Sequence, residues 1–312
     1  MLRMDRTRAA ALAEGIFAVA VWGASFIATK VALAEVSPVT VVWLRFAMGV
    51  VVLGVAVVAR RQLALVPLSG LALFALLGLI GITFHQWLQS NALVTSQAST
   101  SAWIVTTTPV FMAILGRLVL RERLGLQRIG GIALAAFGVL LVVTHGHLAT
   151  LAAGRFGAPG DILMVLSAPN WAVFSVLSRG ALRSHPATRT MFYVMTLGWL
   201  ATTALFAAGP GTAEIGHLSA RGWAAIAFLG VACSGLAYIA WYDALQHMPA
   251  SQAGALLYFE PLVAMVIAAI VLGEPIGAAT IGGGVTILLG VWLVNRVAAS
   301  VDAAAVAHAG EE

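Results

Sequence analysis

The sequence predicts an all-α membrane protein in which ten transmembrane helices form an inverted repeat of two five-helix units. Three observations predict it. Of the 312 residues only 9% are Asp, Glu, Lys or Arg while 61% are hydrophobic. Soluble domains of this length cannot bury that much apolar surface, so the surplus must face lipid. The basic residues collect at the ends of alternate apolar runs, and motifs of the first half recur in order in the second.

The same composition excludes several classes. Cys233 is the single cysteine, which removes a disulfide scaffold and any Cys-based zinc cluster. The net charge is +5, yet no basic stripe interleaved with aromatics appears, so nucleic acid is not an expected partner. No cofactor or metal is expected either.

Helix one, 13–34, follows Arg3, Arg6 and Arg8 and stops before Glu35. Those arginines with Ala18-Val19-Ala20 also resemble a secretory leader, but Glu14 interrupts its apolar region and the run continues to Leu33. Helix two, 38–59, opens on Pro38 and closes at Arg60-Arg61. Residues 62–116 hold no Asp, Glu, Lys or Arg, about twice the roughly 20 residues one crossing needs. The polar cluster Ser90, Asn91, Thr95, Ser96, Gln97 divides them into helices 69–93 and 97–118. The same length rule, punctuated by Pro, Gly and charge, gives 126–144, 158–179, 187–208, 221–245, 250–272 and 276–296.

Lys and Arg near helix ends are retained on the cytoplasmic side. With the N-terminus inside, Arg3, Arg6, Arg8, Arg60, Arg61, Arg117, Arg121, Arg123, Arg128, Arg179, Arg183, Arg189 and Arg296 fall inside, and Arg155 and Arg221 outside. The expectation is a multi-pass protein of the cell (plasma or inner) membrane with both termini cytoplasmic. The tail 298–312, rich in Ala and ending Glu311-Glu312, reads as a short disordered cytoplasmic end.

An offset of 152 aligns residues 108–142 with 260–294, twelve of thirty-five pairs being identical. Pro109 meets Pro261, Glu122 meets Glu274, Gly130-Gly131 meet Gly282-Gly283, and Gly138 meets Gly290. An offset of 149 matches Trp22 with Trp171 and Lys30 with Arg179. The units are 12–145 and 157–297; five crossings being odd, the second enters from the opposite side. Inverted repeats of this kind characterise secondary transporters, with the substrate site at the repeat interface near the bilayer midplane. The glycine pairs read as close helix crossings, and Glu274 as a cap on the turn before helix ten.

These residues carry a resemblance. Trp22-Gly23, Lys30, Pro38 and Arg45, then Ala92-Leu93, Pro109, Glu122 and Gly130 to Gly138, and again Ala244-Leu245, Pro261, Glu274 and Gly282 to Gly290 make the chain resemble ten-helix members of the drug/metabolite transporter superfamily with two tandem EamA domains. The resemblance implies a permease, often an exporter, working by alternating access on amino acids, other metabolites, nucleotide-linked sugars or drugs. No Arg in the second repeat matches Arg45, where Tyr193 and Met195 lie nearby, which argues against a symmetric anion site.

Glu260 lies about ten residues into helix nine, near mid-bilayer, where an unpaired carboxylate is costly and marks function by default. It either exchanges a proton for substrate, binds a substrate amine, or makes a structural polar contact. Pro261 beside it, and Pro109 after Thr106, Thr107 and Thr108, suggest helix breaks at equivalent places; the alternative is a packing kink. Lys30, Arg45 and His85 form either an electropositive vestibule that attracts a substrate carboxylate, or separate contacts: Lys30 snorkelling or pairing with Glu35, Arg45 bonding helix ends, His85 a satisfied polar group rather than a proton relay. Trp22, Ser25, Asn170, Trp171, Tyr238 and Trp241 suit the wall of a central cavity for an amphipathic small molecule, unless the aromatics belong to an interfacial belt.

A membrane enzyme is disfavoured: no H-E-x-x-H, no G-x-S-x-G and no paired intramembrane aspartates occur. Neither an acidic ring nor a carbonyl filter supports a channel. The sequence therefore predicts a carrier for a small amphipathic metabolite such as an amino acid, proton-coupled through Glu260, with multidrug efflux of organic cations as the alternative.

Overall fold

Among the described residues ten helices are long and apolar enough to cross a membrane: α1 (Arg8–Leu33), α2 (Pro38–Ala59), α3 (Gly70–Thr95), α4 (Ala98–Leu118), α5 (Leu126–Val143), α6 (Pro159–Leu182), α7 (Ala187–Ala208), α8 (Ala220–His247), α9 (Gln252–Leu272) and α10 (Ala278–Asn295). The computed structural model describes residues 2–119, 125–154, 156–248 and 250–309, and no strand occurs among them. Arg121, Glu122, Arg123, Arg155 and Glu311-Glu312 lie outside the described residues. The protein is a multi-pass membrane protein, and its surface shows why lipid is needed. On α2, Val41, Leu53 and Val57 are buried while Val51, Val55 and Val58 are exposed, so the helix is apolar on every side, as a lipid-facing span must be.

Two boundaries differ from expectation. Helical backbone begins at Leu2 rather than near 13, and the last helix continues from Ala278 to Ala309, where a disordered tail was expected. Both extensions are rich in alanine, the strongest helix former, which sustains the helix beyond the apolar stretch.

The two halves pack equivalently. Exchanging α1 with α6, α2 with α7, α3 with α8, α4 with α9 and α5 with α10 maps the packing onto itself: α5 lies along α10 and α2 along α7, while α1 packs on α8 and α9 as α6 packs on α3 and α4. The α5 and α10 crossing depends on absent side chains. A Cβ on Gly138 would lie 2.7 Å from the Gly283 carbonyl oxygen, and one on Gly131 2.7 Å from that of Gly290. Gly130 and Gly282 have nothing within 4 Å, so only one member of each expected pair makes the crossing, because the other points away from the partner helix.

The halves also share their irregularities. Gly78–Phe84 within α3 and Phe228–Leu236 within α8 are π-helical, winding that loosens the i to i+4 ladder and recurs at functional sites. α4 is interrupted between Val105 and Thr108, and α9 passes through a 3-10 turn at Leu257–Phe259 before resuming at Glu260. Pro109 and Pro261 each follow at the start of the resumed helix, where a missing N–H costs least.

At the face opposite the chain termini, four carboxylates each join one repeat to the other. Glu214 accepts from Ser37 N (3.0 Å), Ser37 Oγ (2.8 Å) and Thr40 Oγ1 (2.5 Å) at the start of α2. Glu35 accepts from Ser219 N and Oγ, both 2.7 Å, at the start of α8. Glu274 accepts from Ala98 N (2.7 Å), Ser99 N (3.0 Å) and Ser99 Oγ (2.7 Å); it therefore caps α4, not the turn before α10, because the unpaired N–H groups of α4 face it. Asp161 in α6 takes the Ser96 hydroxyl.

Candidate functional site

A cavity of about 430 Å³ lies between the repeats. α1, α3, α4, α6, α8 and α9 supply most of its wall, with Arg45 from α2 and Asn295 from α10. At the deep end it meets Arg45, His85 and Gln86, all buried. At the other end it reaches Tyr258 and the exposed Asn295, so in this structure it opens toward the face that carries the termini.

The π-helical stretches position the aromatic wall. Trp22 Nε1 donates to the Cys233 carbonyl in the α8 stretch at 3.2 Å, and Asn170 Nδ2 donates to the Ile80 carbonyl in the α3 stretch at 3.0 Å. Each is a side chain of the first helix of one repeat held by a loosened carbonyl of the other. Trp22 then stands edge-on to Tyr238, ring centroids 5.6 Å apart, and 5.4 Å from Trp241. Trp171 lies 4.7 Å from the His85 ring. Asn170 is spent on this bond and does not line the cavity, whereas its neighbour Trp171 does.

The charged groups divide sharply. Lys30 Nζ donates to the Ser96 carbonyl at 2.5 Å and Glu35 is engaged at Ser219, so the two do not pair, and Lys30 is not part of the cavity wall. Arg45 is 8% exposed; its Nε donates to Ser234 Oγ at 2.8 Å and its Nη1 to Gln86 Oε1 at 3.1 Å. Its guanidinium carbon sits 5.3 Å from the Phe46 ring centroid. Its hydrogen bonds thus go to side chains within the bundle, not to helix ends. Among the described residues no carboxylate pairs with it. His85 is 4% exposed with Nδ1 unpartnered. Glu260 lines the cavity at the point where α9 resumes after its 3-10 turn, and among the described residues it forms neither an ion pair nor a hydrogen bond. A Cβ on Gly23 would lie 2.7 Å from the Glu260 carbonyl oxygen, so the bare glycine lets the interrupted part of α9 rest directly on α1.

Trp22, Ser25, Arg45, His85, Pro109, Trp171, Tyr238, Trp241 and Glu260 thus share one cavity. Lys30, Asn170 and Pro261 support its surroundings. Gln86, Gln89, Met112, Tyr258 and Asn295 also line it without having been singled out. Gln86 and Gln89 carried a signal, two amides within a stretch free of charge; Asn295, whose Nδ2 donates to Tyr258 Oη at 2.7 Å, carried none. Among the described residues no group of three or more His, Cys, Asp or Glu could hold a metal ion. The cavity offers aromatic faces, two unneutralised ionisable groups and several amide or hydroxyl donors, the equipment for binding a polar head on an apolar body.

The model of the EamA-like transporter family matches residues 9–144 and 158–296. An "Uncharacterized transporter" of Archaeoglobus fulgidus is 28% identical over 88% of this chain and 93% of its own. A "Probable terminal-alkyne amino-acid exporter" of Streptantibioticus cattleyicolor is 26% identical over 90% of this chain and 92% of its own. A "Probable amino-acid metabolite efflux pump" of Salmonella typhimurium is 25% identical over 89% and 92%. A crystal structure superposes with a TM-score of 0.61 at 22% identity, covering 94% of this chain and 99% of that one, a likeness of fold.

Proposed function

This chain belongs to the EamA-like transporter family, and on that premise we propose that it is a secondary carrier exporting a small amphipathic metabolite such as an amino acid, by alternating access and with a proton coupled through Glu260. The observation that carries the reading is the placement of Glu260: a carboxylate without a partner among the described residues, in the wall of a cavity between the repeats and beside an interrupted helix. An intramembrane carboxylate is tolerated where protonation or a ligand relieves its charge. Each would occur once per cycle if proton and substrate occupy the site in turn. The exporters named among the relatives support a metabolite with an amino-acid head.

The four carboxylate contacts hold the far face shut while the cavity reaches the terminal face. The opposite state would break them and close the terminal face, where Arg60 and Asp243 already form a two-pronged ion pair between the repeats (2.8 and 2.5 Å). A second reading, efflux of organic cations, is favoured by the same Glu260 set among Trp22, Tyr238 and Trp241, since a carboxylate with aromatic faces suits a cation.

The test is transport into or out of proteoliposomes under an imposed pH gradient, with panels of amino acids and of organic cations. The expected result is gradient-driven movement of amino acids by the wild type and loss of the pH dependence in Glu260→Gln. Full pH-driven transport by Glu260→Gln would eliminate Glu260 as the proton carrier.

A further inference from the structure

From the charges left open in the cavity, we infer that Arg45 forms a carboxylate subsite at its deep end, beside His85, so that the substrate is a zwitterion with its carboxylate on Arg45 and its ammonium toward Glu260. This rests on the reading of the cavity as the transport site and adds which ligand chemistry it accepts and in which orientation.

Arg45 carries a permanent charge, since a guanidinium does not deprotonate in proteins. Burying it without an anion is expensive, and neutral acceptors compensate only in part. The structure gives it two, Ser234 and Gln86, which fix the plane of the group. They engage Nε and one hydrogen of Nη1, leaving the Nη2 edge with no acceptor among the described residues. That free edge has the fork geometry that takes a carboxylate. His85, whose next residue Gln86 holds Arg45, brings a second unsatisfied buried atom, Nδ1, and borders the same cavity. Its other ring nitrogen faces the Ser167 carbonyl and carries the proton, so Nδ1 borders the subsite as an acceptor and Arg45 supplies the donors there.

Glu260 is the complementary vacancy. No ion pair joins it to Arg45, yet both border the same cavity. One zwitterion neutralises both groups at once, and its side chain then meets Trp22, Trp171 and Trp241. An organic cation would answer Glu260 alone and add positive charge to a site already holding Arg45. The asymmetry between the repeats, an Arg in the first with no counterpart in the second, fits a ligand with one carboxylate end. Lys30 takes no part, being held at Ser96.

The experiment compares phenylalanine with phenylalaninamide and phenethylamine, which keep the amine and the aromatic body but lack the carboxylate. Exchange in proteoliposomes is measured for the wild type, Arg45→Gln and Arg45→Lys. The wild type should prefer the acid to the amide by roughly tenfold or more, the value of a charge-assisted pair of about 1.4 kcal/mol. Arg45→Gln should abolish that preference while still moving the amide, which shows that it folds, and Arg45→Lys should restore part of it. Should Arg45→Gln move nothing, ligand-induced shifts of thermal unfolding on the unmodified protein decide: acid stabilising more than amide supports the subsite, equal shifts overturn it. Equal transport of acid and amide by the wild type would also overturn it, leaving the carrier reading intact. If the wild type moves or binds none of the three, the reading of the cavity fails together with the subsite.

Discussion

Glu260 and Arg45 have opposite relations to their surroundings. Arg45 is tethered by Ser234 and Gln86, whereas no hydrogen bond or ion pair holds the Glu260 carboxylate among the described residues. Their removal should therefore register differently. Replacing Glu260 with Gln deletes a half-buried ionisable group and breaks no bond seen among the described residues, so thermal unfolding in detergent should stay unchanged or rise slightly. A fall of several degrees would reveal a structural contact instead, since a lost buried polar partner costs about 1–3 kcal/mol. The intramembrane position of Glu260 was legible because a carboxylate inside an apolar run is rare. Lys30 and Asn170 stood out on the same grounds, yet they bond to backbone carbonyls 66 and 90 residues away. No local pattern encodes such a partner, and for that reason Tyr258 and Asn295 stayed invisible as well.

The membrane spans were legible to within a few residues, because length and charge determine them, whereas the helical extensions back to Leu2 and on to Ala309 were not. Their internal irregularities were not: the π-helical stretches of α3 and α8 follow from packing between repeats, although Gly78 and Gly81, and Gly230 and Gly235, mark both places. The helix ends carry the next prediction. α2 and α4 begin without a side-chain cap from their own N-cap residues, Ser37 and Gln97, and borrow Glu214 and Glu274 from the other repeat. Replacing both by Gln should loosen the far face, seen as a several-fold faster reaction of a cysteine placed at Gln89 with an impermeant thiol reagent added from that side. An unchanged rate would mean that these contacts do not hold the face closed.

For two of the four contacts, those of Glu35 and Glu214, the pH response has a definite sign. Hydrogen bonds from the Ser219 hydroxyl and backbone, reinforced by Arg221, hold the Glu35 carboxyl below its usual range. Burial pushes Glu214 up, but Thr40 and Ser37 outweigh it and hold that group low too. A lowered carboxyl stabilises the clasped state above its ordinary value of about 4.3, and the contribution disappears only as pH falls through the lowered one. Labelling at Gln89→Cys, taken relative to the same cysteine in the unfolded chain at each pH so that thiolate formation cancels, should stay slow between roughly pH 8 and 5 and rise only in stronger acid. Acceleration already near neutrality would assign the gate to another group.

At the scale of the molecule, two family segments with equivalent packing border a shared cavity that reaches Asn295 toward the terminal face, with four contacts between the repeats at the opposite face. A carrier must bind its substrate in a finite site and change its exposed side once per cycle; a channel need not. Counterflow separates the two: proteoliposomes preloaded with unlabelled phenylalanine are given a trace of the labelled compound outside, and its accumulation is followed against concentration. A carrier with this site gives transient uphill accumulation that saturates and is lost when Trp22 and Trp241 are both replaced by Ala, with ions excluded. Flux that rises linearly without saturation, or conducts ions at channel rates, would contradict it.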